Sequence, residues 1–100
     1  MYFIVKNLNN TSDIELKFPV NNNFIGLSAI ERSNCIRLIL AIFESATEVI
    51  NDIIFDEVSL FINKENTIYQ ITYTKKKNNL SYYVHISNNK DHPSLHKFIE

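Results

Sequence analysis

Glycine occurs once in these 100 residues, cysteine once and proline twice. A single glycine cannot build a phosphate-cradling loop or the Gly-flanked turn that exposes a nucleophilic serine. Two prolines exclude collagen-like repeats and long polyproline linkers. One cysteine, Cys35, excludes an intrachain disulfide. It lies in the apolar run Cys35–Phe43, where a thiol packs as a small inert hydrophobe. A catalytic thiol needs a cation or histidine beside it. Only Arg37 is near, and it falls on another helical face. The same run is too short to cross a bilayer and is broken by Arg37. Met1–Leu8 has neither the basic start nor the long apolar core of a signal peptide. The expected setting is therefore the cytoplasm.

Asparagine and isoleucine are abundant instead. Both have AT-rich codons, and we read the excess as the trace of an AT-rich genome. Apolar residues make up 45% and the net charge is −1, the balance of one folded domain over residues 1–100.

Tyr2–Leu8 alternates and is rich in β-formers. After the turn-forming Asn9–Asp13, Ile14, Leu16, Phe18 and Val20 share one face with Glu15 and Lys17 on the other. Pro19 cannot donate to a ladder, which assigns this strand to an edge. Ser28 with Glu31 is a capping box. It predicts one long helix from there to about Ile53, because the polar residues Glu31, Asn34, Arg37, Glu44, Glu48 and Asn51–Asp52 keep a helical register. A competing pattern breaks the segment into helix, strand and helix. There Ile36, Leu38, Leu40 and Ile42 alternate, and Ser45 with Glu48 forms a second box.

Three strand-like runs follow. Val58–Ile62 and Thr67–Thr74 are joined at Asn63–Asn66. Lys75–Asn79 then leads into Leu80–Ser87, with Asn78 and Asn79 suited to left-handed turn conformations. Pro93 can open a short final helix. Short links between neighbouring strands imply antiparallel pairing. The expected fold is α+β, a five-stranded antiparallel sheet in the order strand-strand-helix-strand-strand-strand. One long helix lies on a face and a short helix ends the chain.

Candidate chemistry is sparse. His92 and His96 have a metal-helix spacing, but Pro93 pushes His92 out of the helix, so they do not share a face. No metal or cofactor is expected. His85 lies mid-strand as a polar-face residue. Glu44 and Glu48 are too close and too exposed to split their pKa values for acid–base work. No enzyme is expected.

The charge distribution is more informative. From Asp13 to Glu57 there are eight acids and three bases, a balance of −5; from Val58 to Glu100 the balance is +3. Glu44, Glu48 and Asp52 stand one turn apart, a repulsive spacing that favours solvent or a basic partner. Asp56 and Glu57 extend the line. An acidic face on a small non-catalytic domain suits a basic protein partner, since complementary charge speeds and orients encounter. The profile fits a small inhibitor, concretely an immunity protein that neutralises a basic nuclease toxin. Glu44, Glu48, Asp52, Asp56 and Glu57 would be its contacts, with tyrosines as anchors. The alternative is a nucleic-acid module built from Lys75, Lys76, Lys77, Tyr73, Tyr82 and Tyr83, although the chain as a whole is not basic. A third reading is a homodimeric assembly subunit, because the helix is apolar around most of its circumference.

Overall fold

The computed structural model describes residues 1–18 and 26–88. Pro19, Val20, the two C-terminal histidines and the expected final helix lie outside the described residues. Two strands, β1 (Tyr2–Leu8) and β2 (Ser12–Lys17), open the chain. Two helices follow, α1 (Ala29–Glu44) and α2 (Thr47–Asp52). Three strands then complete the described order: β3 (Glu57–Lys64), β4 (Thr67–Lys76) and β5 (Asn79–Asn88). The strands form one five-stranded antiparallel sheet, as expected, and its spatial order is β2-β1-β3-β4-β5. Because β1 lies between β2 and β3, the helices are the crossover that carries the chain over the sheet.

The apolar half of each strand decides where the helices go. Phe3 and Val5 of β1, Ile14 and Leu16 of β2, Val58 and Leu60 of β3 and Tyr73 of β4 form one buried cluster. Cys35, Leu38, Ile39 and Ile42 of α1 and Ile50 of α2 belong to the same cluster. On the other face Tyr2, Phe61 and Ile68 make a smaller cluster, with the Tyr2 and Phe61 rings 5.7 Å apart. Burial of both faces under β1 and β3 leaves β2 and β5 as the edges.

Asparagine carries a structural load that its codons do not explain. Among the described residues, five of the eight non-glycine residues with positive φ are Asn7, Asn9, Asn10, Asn66 and Asn78. Left-handed backbone is costly for most side chains, and asparagine tolerates it best after glycine. In a chain with one glycine, asparagine takes over the turns. The β3–β4 turn is the pair Glu65-Asn66 and the β4–β5 turn is Lys77-Asn78, both with two positive φ values, the type I′ pattern. Both turns are tighter than the alternation suggested. Asn79 pairs within β5 instead of turning.

The expected single helix to Ile53 is replaced by two. The first capping box forms: Glu31 N–H donates to Ser28 Oγ at 3.1 Å, and Ser28 N–H donates to Glu31 Oε1 at 2.8 Å. The second does not. Ser45 adopts φ 54°, ψ 35° and terminates α1. Ala46 N–H then bonds Ala41 O at 2.8 Å and Ser45 N–H bonds Ile42 O at 3.3 Å, the Schellman arrangement. Ala46 stands at the start of α2, with no side-chain cap. No strand interrupts the segment. Among the described residues no helix is long and apolar enough to cross a membrane.

Candidate functional site

The α1–α2 elbow sets where the acids stand. Glu44 is the last residue of α1, Glu48 lies in the first turn of α2, and Asp52 ends α2. All three are exposed. Because Ser45 is spent on ending α1, Glu48 is not drawn into a capping box. None of the three forms an ion pair or side-chain hydrogen bond with another described residue. Arg32 and Arg37 are likewise unpaired among the described residues, so the acids do not fold back on them. Glu44 lines a shallow groove of about 180 Å³ with Arg37, Leu40 and Val49. Glu48 lines another of about 240 Å³ with Asn51, Asn78, Asn79 and Leu80. The acids thus follow the elbow from α1 to the β4–β5 turn.

Asp56 and Glu57 have other engagements. Asn7, at a bulge in β1, donates from Nδ2 to Asp56 Oδ2 at 2.5 Å. Asp56 is also held by its backbone, donating to Lys6 O and accepting from Lys75 N–H, both at 2.9 Å. Glu57 pairs across the sheet with Lys6, Nζ to Oε2 3.4 Å. The five acids named from sequence therefore divide into three open ones on the helices and two tied to β1.

The lysine cluster divides in the same way. Lys75 belongs to β4 and not to a hairpin tip. Its ammonium donates to Asn51 O at 2.9 Å and to Ile53 O, and sits 4.3 Å from the centre of the Phe55 ring. It thereby satisfies carbonyls left open at the end of α2, where a cation also opposes the negative end of the helix dipole. Partial burial lowers its pKa, an effect opposed by the nearby Asp52 carboxylate. Tyr73 is buried and stacks on Tyr82 at 5.3 Å. Lys76, Lys77 and Tyr82 remain exposed. Tyr83 projects to the other face, where Gln70 Nε2 reaches its hydroxyl at 3.4 Å.

Cys35 is fully buried, and burial, with a smaller push from Glu31, raises its pKa to about 11. That is the opposite of an activated thiol. Among the described residues no group of His, Cys, Asp and Glu could hold a metal ion. His85 faces with Tyr83, away from Tyr82 and Val84.

Sequence reasoning did not single out the apolar residues exposed beside the acids. Leu40 and Phe43 are each 55% exposed, on the turn that leads into Glu44. Their signal was the all-round apolar character of the helix. They give the elbow an aromatic and an aliphatic group next to its charges, as interface centres have. Comparison with protein families, curated proteins and solved structures finds no match for this chain.

Proposed function

We propose that the chain is a non-enzymatic protein-binding domain, an immunity-type inhibitor that neutralises a basic partner such as a nuclease toxin in the bacterial cytoplasm. The observation that carries this reading is the state of Glu44, Glu48 and Asp52. Three like charges are displayed around one elbow with no ion pair or side-chain hydrogen bond to a described residue, Asp52 alone lying in the field of Lys75. Glu48 and Asp52, one turn apart on α2, repel each other a little, a cost that a cationic partner would offset. Phe43 and Leu40, beside Glu44, supply apolar surface that a partner can desolvate. Asp56 and Glu57 would contribute to the field without making primary contacts, since Asn7 and Lys6 already hold them.

The nucleic-acid alternative would now rest on Lys76, Lys77 and Tyr82, because Lys75 serves the α2 terminus and Tyr73 is buried. That is a thin set for tracking a phosphate backbone.

The test is purification of the tagged chain from its native cells at low and high salt. A basic protein retained at low salt and released as salt rises supports the reading. Retention of only neutral or acidic proteins, or retention indifferent to salt, would count against it.

A further inference from the structure

We propose that β5 is a pairing edge, and that its occupant is a second copy of this chain. This inference is independent of the acidic strip.

The two edges of the sheet are built differently. β2 has six residues, carries Asp13, Glu15 and Lys17, and its register with β1 shifts at a bulge between Val5 and Leu8. Short length, charge and bulges are devices that protect an edge against strand addition. β5 has none of them. Its ten residues, Asn79–Asn88, keep an unbroken register with β4 and include no Asp, Glu, Lys, Arg or Pro. No described residue pairs with its outer side.

One face of β5 is a row of apolar side chains. The register places Leu80 beside Lys75, Tyr82 beside Tyr73, Val84 beside Ile71 and Ile86 beside Tyr69. These four point to the side of the sheet where α1 and α2 lie. Yet Tyr82, Val84 and Ile86 are 65%, 54% and 60% exposed. The row is therefore apolar, on the core side of the sheet, and exposed at Tyr82, Val84 and Ile86, while Leu80 packs against the core.

Symmetry argues for a second copy over a foreign strand. Antiparallel pairing of β5 with itself requires a two-fold axis perpendicular to the sheet. That axis keeps each face on its own side, so the apolar row meets the apolar row in every allowed register. Centred on Tyr83, Tyr82 faces Val84 of the second copy and Leu80 faces its Ile86. Centred on Val84, Tyr82 faces Ile86. No charge from either β5 is buried, and the stretches Leu80–Ile86 of the two edges gain about six to eight backbone hydrogen bonds. A foreign strand would have to match an uncharged, alternating apolar edge that this chain already carries.

The experiment is sedimentation of the full chain across the micromolar range, with variants. The wild type is expected to sediment as a dimer. Val84→Lys combined with Ile86→Lys places charge on the row and should weaken dimerisation at least about tenfold, with the far-ultraviolet circular dichroism unchanged. Leu40→Lys with Phe43→Lys, on α1, should leave it intact. Should the lysine pair on β5 compromise folding, cysteine placed singly at Tyr83 or Val84 in a Cys35→Ser background reads the same contact. Mild oxidation should then link two copies through at least one of these positions. A wild type that stays monomeric overturns the proposal. So does a dimer that survives the β5 variants, is lost with the α1 variants, or never cross-links through β5. A monomer that instead takes up an extended peptide along β5 would show the edge to be real and its occupant to be foreign, which also overturns it.

Discussion

Lys75 reaches across from β4 to donate to the main-chain carbonyl of Asn51, Nζ to O 2.9 Å, and so closes the end of α2. The contact joins the last turn of α2, which ends in Asp52, to the end of β4. Replacing Lys75 by methionine keeps the stem over Phe55 but removes the donor. The expected loss is about 1.5–3 kcal/mol of stability, the range for a hydrogen bond from a charged group. Lys76→Met and Lys77→Met should each change stability by less than about 0.5 kcal/mol, as exposed substitutions do. Urea denaturation of the three variants checks the contrast. Equal effects at all three positions would mean that Lys75 is an ordinary surface lysine.

Ser45→Gly should stabilise the chain by about 0.5–1 kcal/mol, because a side chain at positive φ is relieved where glycine suffers no strain. Ser28→Ala should cost about 1 kcal/mol through loss of the α1 cap. Thermal unfolding measures both. Destabilisation by Ser45→Gly would indicate that Ser45 caps α2 after all.

The strand pattern was legible because period-two alternation over β1 to β4 reports burial directly. The break at Ser45 was not. Ser45-x-x-Glu48 is a good local start for a helix, and Ser45 is also an acceptable end for the preceding one; the choice was made by tertiary packing of Ile42 and Ile50 in one core. Lys75 looked like part of a solvated triplet because nothing local indicates that its strand partner Leu80 and the end of α2 surround it. The acids Glu44, Glu48 and Asp52 were legible as polar positions of a helical segment, but not as one line, since the break at Ser45 puts Glu44 on α1 and the other two on α2. That Asp56 and Glu57 are held by Asn7 and Lys6 depends on a bulge in a strand some fifty residues away.

A buried polar pair offers a sharper energetic test. Ser59 Oγ and Thr72 Oγ1 lie 2.8 Å apart across β3 and β4, and Gln70 Nε2 also reaches Thr72 at 3.1 Å. Ser59→Ala should cost about 1–2 kcal/mol, since a buried hydroxyl loses a partner. Combining it with Thr72→Val should recover part of that loss, because both polar groups then leave together. A double-mutant cycle by denaturant titration decides, and strict additivity would show that the hydroxyls are not coupled.

Two titrating groups give pH signatures. Cys35, with its pKa at about 11 and no exposure, should react with an alkylating reagent at neutral pH only as fast as the fold opens, and rapidly in denaturant. Native reactivity equal to that of a free thiol would place it at the surface. Tyr2 donates to the Glu15 carboxylate, and burial followed by that contact raises its pKa above the ordinary 10.0. Its contribution to stability is complete below about pH 10, where the unfolded tyrosine is neutral, and declines as pH rises toward the folded value. Tyr2→Phe should flatten this alkaline decline when unfolding free energy is followed against pH. An unaltered slope would assign the decline to other groups.

The central claim is that the open acids on the elbow bind a basic protein. The most direct measurement is calorimetric titration of the partner recovered from native cells into wild type and into the triple variant Glu44→Lys, Glu48→Lys, Asp52→Lys. Circular dichroism first confirms an unchanged fold. The predicted result is salt-sensitive binding to the wild type and at least about a hundredfold weaker binding to the triple variant, the scale of removing several contacts between opposite charges. Equal affinity for both proteins would contradict the claim.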